Sequence, residues 1–367
     1  MSYKAFKSQP MDRTRWLWAN ALPINATSLL VGKPRDGKTT LALNLGLAMS
    51  RGVSFLNRET TKCPVFYVSI DNSSDEIREM TERLGFQEEE QVYIHTGQIP
   101  ENATAWLVDC LKKYSIKFAI IDTYQRFFHV EEVNSTSQVV HAMEPLDFEA
   151  KKLGVCLMYL HHAKKNGDSF LDAGIGSNSI KGMCPFYFHL ARMGESQQRI
   201  LSTDFRSGKN FERVSIKLDA RTGWAYIGGT YEDAIVEDTM PQVIQFLEIE
   251  QETTESNIRK NIPARGIFVS KAIRELYKRG TLARSGQGKK GDPFKYYLAG
   301  LNDVSPGGIH KGGTVSGLES KNPQQSFENI GKNSSPVNLG LARTSRDLNP
   351  NGGDAGLESE KPWEDLG

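Results

Sequence analysis

One octapeptide constrains the fold of this 367-residue chain more than any other feature. Residues 32 to 39 read Gly-Lys-Pro-Arg-Asp-Gly-Lys-Thr, a complete G-x-x-x-x-G-K-[ST] pattern. The apolar run Ser28 to Val31 precedes it, and Leu41 to Met49, rich in leucine and alanine, follows it. This order predicts a strand, a glycine-rich loop and a buried helix, an arrangement in which backbone N–H groups and a helix N-terminus face phosphate oxygens.

The octapeptide also predicts a ligand. We expect the loop to bind ATP, with Lys38 as a point charge at the phosphates and the Thr39 hydroxyl as a ligand of Mg²⁺. A glycine-rich turn without a ligand is the alternative. The expected nucleotide contacts are Gly32, Lys33, Pro34, Arg35, Asp36, Gly37, Lys38, Thr39 and Thr40.

The net charge of +1 conceals an uneven distribution along the chain. Between Glu255 and Tyr297 there are eleven basic and three acidic residues, a surplus of eight positive charges. Such a surplus predicts a polyanionic partner, of which DNA is the candidate, although a solvated basic face without a partner is an alternative.

Cysteine spacing and hydropathy predict a cytoplasmic protein. The four cysteines lie far apart, without a C-x-x-C pair, and are expected to be reduced thiols in the core. Residues 1–9 lack the apolar stretch of an export signal, and no run approaches the ~18 apolar residues of a membrane span.

The first 233 residues have the pattern of an α/β domain with a mostly parallel sheet. Strand candidates at 28–31, 65–69, 91–94, 118–122 and 155–160 alternate with helix candidates at 38–50, 75–84, 102–114 and 137–153. Further strands, expected to be antiparallel, are predicted at 199–205, 211–218 and 223–227.

A second domain is predicted at 234–300, followed by a disordered tail at 301–367. Helices at 240–248, 255–261 and 267–279 precede two strand-like pieces within 281–298, which flank a basic, glycine-rich loop. Three helices and a hairpin describe a winged helix-turn-helix, a module that binds DNA or another protein. The expected DNA contacts are Lys271, Arg274 and Lys278 on the recognition helix, and Lys289 and Lys290 in the wing.

Polar groups follow three of the predicted strands. Asp122 ends an apolar strand as a Walker B carboxylate does, which predicts a second ligand of Mg²⁺. Asp71 ends another strand, at the position of a carboxylate that activates water; for both acids, a turn or helix cap is the alternative. His161 and His162 follow a third strand, and one of them, with His161 as the candidate, is expected to sense the γ-phosphate or to pass its state to a DNA-facing loop. A structural role for both histidines is the alternative.

In this order the motifs resemble those of the RecA/DnaB-like P-loop ATPases, and among them the RepA-like replicative helicases of plasmids, phages and integrated elements. The resemblance extends over about Trp16 to Gly229. Besides the octapeptide, it depends on Trp16-Leu17-Trp18, Tyr67-Val68-Ser69-Ile70-Asp71 with Arg83-Leu84, the strand ending at Asp122, His161-His162-Ala163-Lys164-Lys165, and Gly176-Ser177.

The resemblance implies a RecA-like core and a DNA-dependent ATPase acting as a helicase or strand-handling motor. By this resemblance Lys38 and Asp71 are catalytic, with Asp71 as the base, and His161 couples the state of ATP to DNA. Arg206, within Asp204-Phe205-Arg206-Ser207-Gly208, would reach the nucleotide of a neighbouring subunit. An arginine supplied in this way implies a homo-oligomer, and the family suggests a hexameric ring.

Three departures from the family leave other functions open. Asp71 stands where relatives usually have Glu, Asp204 replaces a basic residue, and an acid is missing near Cys184-Pro185. These differences favour ATP binding over fast turnover, so an ATP-switched DNA-binding regulator or accessory factor is the main alternative. A small-molecule kinase would also use Lys38 and Thr39, but the sequence offers no candidate for its lid and acceptor pocket.

Overall fold

A computed structural model of the protein describes residues 2–8, 15–129, 136–163, 182–194 and 198–300. Its helices are α1 Tyr3–Lys7, α2 Lys38–Arg51, α3 Ser74–Leu84, α4 Ala103–Lys113, α5 Tyr124–Phe127, α6 Thr136–Leu153, α7 Tyr231–Glu250, α8 Glu255–Asn261 and α9 Gly266–Lys278. Its strands are β1 Trp16–Trp18, β2 Leu22–Pro23, β3 Thr27–Gly32, β4 Val65–Ser69, β5 Val92–Thr96, β6 Phe118–Asp122, β7 Cys156–His162, β8 Phe186–Arg192, β9 Arg199–Phe205, β10 Val214–Leu218, β11 Ala225–Thr230, β12 Glu252–Thr254, β13 Leu282–Ser285 and β14 Lys295–Leu298.

A nine-stranded sheet in the order β11-β10-β9-β8-β3-β7-β6-β4-β5 is the centre of the fold. The pairs that join β8, β3, β7, β6, β4 and β5 are parallel. Strands β9, β10 and β11 continue the sheet in antiparallel pairs. The fold class predicted from the sequence, an α/β core around a large and mostly parallel sheet, is confirmed.

Both faces of the parallel strands are covered. Every residue of β3, β4 and β6 is buried, which explains why these strands are continuous apolar runs rather than alternating ones. Along β3, Leu30 packs into a core shared with α2, whereas Leu29 and Val31 pack into the opposite core with α4 and α6. Helices on both faces leave the carboxyl ends of the parallel strands open along one edge, where ligands of such sheets bind.

Strand β8 lies between β3 and β9 and is absent from the strands that the sequence predicts. Its first five residues, Phe186 to Leu190, are all buried and almost entirely apolar. Such a run cannot be distinguished from a buried helix by periodicity alone, which is why the strand was missed. Gly176-Ser177, Lys164 and Lys165 lie outside the described residues.

Helix α7 is longer than the sequence predicts, and it spans the expected domain boundary. It begins after Thr230, whose hydroxyl accepts a hydrogen bond from the Asp233 backbone N–H while the Asp233 side chain accepts one from the Thr230 N–H. The helix contacts both β10 and β11. The boundary predicted between residues 233 and 234 therefore falls inside its first turn, and the division into 1–233 and 234–300 stays a prediction.

Beyond the large sheet, α7, α8 and α9 pack together with a small antiparallel sheet of order β12-β14-β13. Three helices and a hairpin are present, as the sequence predicts, and β12 is an additional strand of three residues. The shared core contains Val243, Leu247, Ile258, Val269 and Ile273, each with no exposed surface. The tail predicted at 301–367 lies outside the described residues.

Two expectations drawn from composition can be compared with the structure. All four cysteines are free and buried, as predicted. None of the helices in the described part of the chain is long and apolar enough to cross a membrane.

Candidate nucleotide-binding site

The phosphate loop connects the end of β3 to the start of α2. Gly37 precedes the helix with a φ of 93°, a left-handed conformation that favours glycine. At Gly32, an added Cβ would lie 2.4 Å from the carbonyl oxygen of Leu190, so the neighbouring strand leaves no room for a side chain. Lys33, Pro34 and Arg35 are exposed at the tip of the loop. The glycines therefore occupy the two positions where the backbone needs them.

Asp36 anchors the loop from the inside. Its carboxylate is 6% exposed and accepts a hydrogen bond of 2.7 Å from the Lys33 backbone N–H. The backbone N–H of Arg192 donates to the same carboxylate at 3.4 Å, and the Arg199 guanidinium donates to the Asp36 carbonyl at 3.1 Å. The hairpin of β8 and β9 thus supports the loop, a contribution that could not be predicted without β8.

Lys38 lies beneath the loop. Its ammonium donates to the carbonyls of Gly32 at 3.0 Å and Lys33 at 3.1 Å, and lies 3.2 Å from Nδ1 of His162. Burial lowers the pKa of Lys38, and the negative charge of Asp122 opposes this shift. The side chain is therefore held beside the loop N–H groups, where a phosphate would be bound.

Thr39 and Asp122, the two predicted ligands of Mg²⁺, are in contact. The Thr39 hydroxyl donates to the Asp122 carboxylate at 2.7 Å, and the Tyr67 hydroxyl donates to the same oxygen at 2.8 Å. Burial raises the pKa of Asp122, which is 3% exposed, although both hydroxyls oppose this shift. A hydroxyl and a carboxylate in contact are the hard oxygen ligands that Mg²⁺ uses beside phosphates, so the residues present fit this ion.

Asp71 follows β4 along the same edge of the sheet, and 24% of its side chain is exposed. Arg126 Nε lies 2.6 Å from Oδ1, and the Thr123 hydroxyl donates to Oδ2 at 3.1 Å. His162 Nε2 is 3.7 Å from Oδ2, close to the carboxylate but beyond ordinary hydrogen-bond length. The nearby His162 ring has the largest influence on the pKa of Asp71, and with Thr123 and Arg126 it lowers that pKa despite burial.

The two histidines at the end of β7 have different surroundings. His161 is 4% exposed and packs edge-on against Tyr124, with ring centroids 5.0 Å apart, and its Nδ1 atom has no hydrogen-bond partner among the described residues. Burial lowers the pKa of His161 to about 4. His162 rather than His161 lies beside Lys38, because consecutive side chains of a strand point to opposite faces. The role of His161 as sensor of the γ-phosphate stays a prediction.

Arg206 lies far from the phosphate loop of its own chain. Strand β9 is antiparallel to β8, so Phe205 pairs with Phe186, which in turn pairs with Ser28 near the start of β3. Exposed Arg206 follows directly, at the edge of the sheet opposite Gly32. The length of β3 alone separates these two ends of the strands by on the order of 15 Å.

The predicted DNA contacts are exposed on α9 and on the hairpin between β13 and β14. Lys271, Arg274 and Lys278 lie opposite the buried face of α9, and Lys289 and Lys290 lie in the hairpin loop. Lys271 forms a 2.8 Å ion pair with Glu232 at the start of α7. All five side chains are therefore on the surface, and one of them is paired within the chain.

Thr123, Arg126, His162, Tyr67 and Asp36 belong to the site, although the sequence analysis assigned a function only to Asp36 and considered His162. Thr123 and Arg126 follow Asp122 closely in the chain, which is the one sequence signal that could have indicated them. Tyr67 lies within an apolar strand that gives no sign of a functional residue, and its contact with Asp122 depends on the pairing of β4 with β6.

Two comparisons relate this chain to known proteins. The AAA domain family matches residues 3–168, somewhat less than half of the chain. Among solved structures, the chain is similar to a KaiC-like protein from the hyperthermophilic archaeon Pyrococcus horikoshii OT3, at 14% identity and a TM-score of 0.46, over 59% of this chain and 99% of that one. The phosphate loop and the AAA match together support a P-loop nucleotide-binding domain.

Proposed function

We propose that the protein is a DNA-associated ATPase motor, a RepA-like helicase or replication ATPase of a mobile element, which hydrolyses Mg-ATP between subunits. One observation carries the proposal. Lys38, Thr39, Asp122 and Asp71, which come from three different strand ends, lie together at one edge of the sheet. This is the set of groups that nucleotide hydrolysis requires, because the reaction depends mainly on positioning and electrostatics.

Each residue has a distinct part in the proposed reaction. The loop N–H groups and Lys38 bind the phosphates. Thr39 and Asp122 would hold Mg²⁺, whose positive charge would offset charge on the phosphates. Asp71 orients water and accepts its proton as the water oxygen bonds to the γ-phosphorus and the bond to the β-phosphate oxygen breaks, releasing ADP and phosphate. His162, which lies near both Lys38 and Asp71, senses the γ-phosphate.

Arg206 is the proposed contribution of a neighbouring subunit. Since it lies at the edge of the sheet opposite its own phosphate loop, it is suited to a nucleotide bound elsewhere in a ring, which we take to be a hexamer. Mixing two inactive variants tests this arrangement. Lys38→Ala retains Arg206, and Arg206→Ala retains the phosphate loop, so we expect the mixture to recover hydrolysis that neither variant shows alone. A mixture without activity, formed from variants that still assemble, would contradict hydrolysis between subunits.

The proposed DNA-binding module is the winged helix formed by α7, α8, α9 and the small sheet. The order α7-β12-α8-α9-β13-β14 supports it, with α9 as recognition helix and the hairpin as wing. The decisive assay compares ATP hydrolysis with and without single-stranded DNA, together with strand separation. If DNA neither stimulates hydrolysis nor is unwound, the motor is excluded.

An ATP-switched DNA-binding regulator with slow hydrolysis is the second candidate. It is favoured by Asp71, whose carboxylate is one methylene shorter than that of Glu and is held by Arg126. Turnover by Asp71→Glu distinguishes the candidates, since a large gain indicates a protein adapted to binding. A regulator should also show DNA affinity that depends on the bound nucleotide.

A further inference from the structure

Arg126 contacts the proposed catalytic base and has no part in the reaction described above. It belongs to α5, which begins two residues after Asp122. Its Nε atom lies 2.6 Å from Asp71 Oδ1, the shortest approach to that carboxylate among the residues described. About two thirds of the Arg126 side chain, 67%, is exposed, so the guanidinium approaches Asp71 from the solvent side of the site.

Both oxygens of Asp71 are engaged in this arrangement. Arg126 contacts Oδ1, and Thr123 donates to Oδ2 at 3.1 Å. To act on water, the carboxylate must accept a hydrogen bond and then a proton. A guanidinium beside it favours the charged form, makes the carboxylate a weaker base and occupies one of its two oxygens.

The contact is also easy to break. Because 67% of the Arg126 side chain is exposed, water solvates the guanidinium well once it separates from Asp71, and the contact contributes little to stability. Arg126 can therefore leave Asp71 without disturbing β6 or the core behind it. Thr123, by contrast, is buried and holds the other oxygen from within the fold.

We propose that Arg126 is a positioning residue that holds Asp71 in a resting arrangement, so that hydrolysis proceeds only when the guanidinium has moved away. The proposal rests on the proposed function, in which Asp71 is the base. It predicts slow hydrolysis in the free protein despite an intact set of site residues.

The test is the steady-state hydrolysis of ATP by the full chain without DNA. We expect Arg126→Ala and Arg126→Gln to raise kcat by roughly three- to tenfold, because Oδ1 of Asp71 is then free to accept a hydrogen bond from water, and to leave KM unchanged. Arg126→Lys keeps a positive charge and should remain near the wild-type rate. Arg78→Ala, which removes an exposed arginine of α3, is the matched control and should change neither constant.

A structural role alone would not raise kcat. If both neutral variants hydrolyse ATP at or below the wild-type rate while binding it normally, the restraint by Arg126 is overturned. If the wild-type protein binds Mg-ATP but neither it nor the variants hydrolyse it, the proposed function is overturned instead. The two failures are therefore distinguishable.

Discussion

The phosphate-loop edge of the large sheet and the basic surface of α9 both carry several charges, but the charges have different surroundings. At the sheet edge, Lys38 is 5% exposed and Asp122 is 3% exposed, and each alters the pKa of the other. On α9, the Lys271–Glu232 pair leaves 44% and 62% of the two side chains exposed. The first region contains buried charges that influence each other, and the second contains solvated charges on a surface.

This difference determines how each region should respond to change. Charges in a site of low dielectric interact strongly, and an uncompensated one is costly. Exposed charges are screened by water and salt, so each contributes little and their effects accumulate. Single substitutions should therefore have large effects at the sheet edge, and small, salt-dependent effects on α9.

The largest effect is expected from Lys38→Ala. It removes the cation beneath the loop, and we expect ATP hydrolysis to fall by more than about 100-fold, because charge on the phosphates then lacks a buried partner. Nucleotide binding and phosphate release provide the measurements. Lys62→Ala, at an exposed position, is the control and should retain wild-type turnover. Comparable activity in both variants would contradict the larger effect expected for charges at the sheet edge.

The next effect concerns the buried face of β7. His161 has its pKa lowered to about 4, so the folded state favours the neutral ring. Between pH 6.5 and pH 4 the unfolded chain binds more protons at this residue than the folded protein does. The free energy of unfolding should therefore decrease by on the order of 3 kcal/mol as the pH is lowered from 6.5 to 4. Urea denaturation at several pH values measures this. His161→Phe should flatten the dependence, whereas His141→Gln, at an exposed position, should not.

A smaller effect is expected from Asp122→Asn, which should raise stability but lower activity. Burial raises the pKa of Asp122, so its charge opposes folding near neutral pH. The amide should raise the free energy of unfolding by about 1 kcal/mol and reduce Mg²⁺-dependent hydrolysis. This combination is expected where a residue that serves function lowers stability. Thermal unfolding and turnover, measured on the same preparation, test both signs. A less stable variant would show that the two hydroxyls outweigh the cost of burying the charge.

The smallest effect is expected on the basic surface. Lys278→Ala should weaken DNA binding by about threefold and reduce the slope of affinity against salt by about one ion. Its affinity for ATP should remain unchanged. Binding titrations at several salt concentrations provide the measurement, with Lys112→Ala on α4 as a control. A loss of more than about 100-fold from this one exposed residue would contradict the comparison between the regions.

Much of the fold could be predicted because its patterns are local. The strands at the centre of the sheet are apolar runs bounded by polar turns, and their predicted positions agree with the structure to within two residues. Strand β8 was missed, and with it the support of Asp36 by Arg192 and Arg199. Helix α7 begins earlier than predicted because its first turns contact β10 and β11, a tertiary contact without a periodic signal of its own.

The residues from Gly32 to Thr39 predict a strand, loop and helix by themselves, because their glycines and charged side chain act within one turn of backbone. Tertiary structure decides which other groups meet them. Strand alternation turns His162 toward Lys38 and His161 toward the core, and the pairing of β4 with β6 places Tyr67 on Asp122. The antiparallel course of β9 carries Arg206 to the opposite edge. These placements depend on strand order and direction, which join residues distant in the chain and leave no local pattern in it.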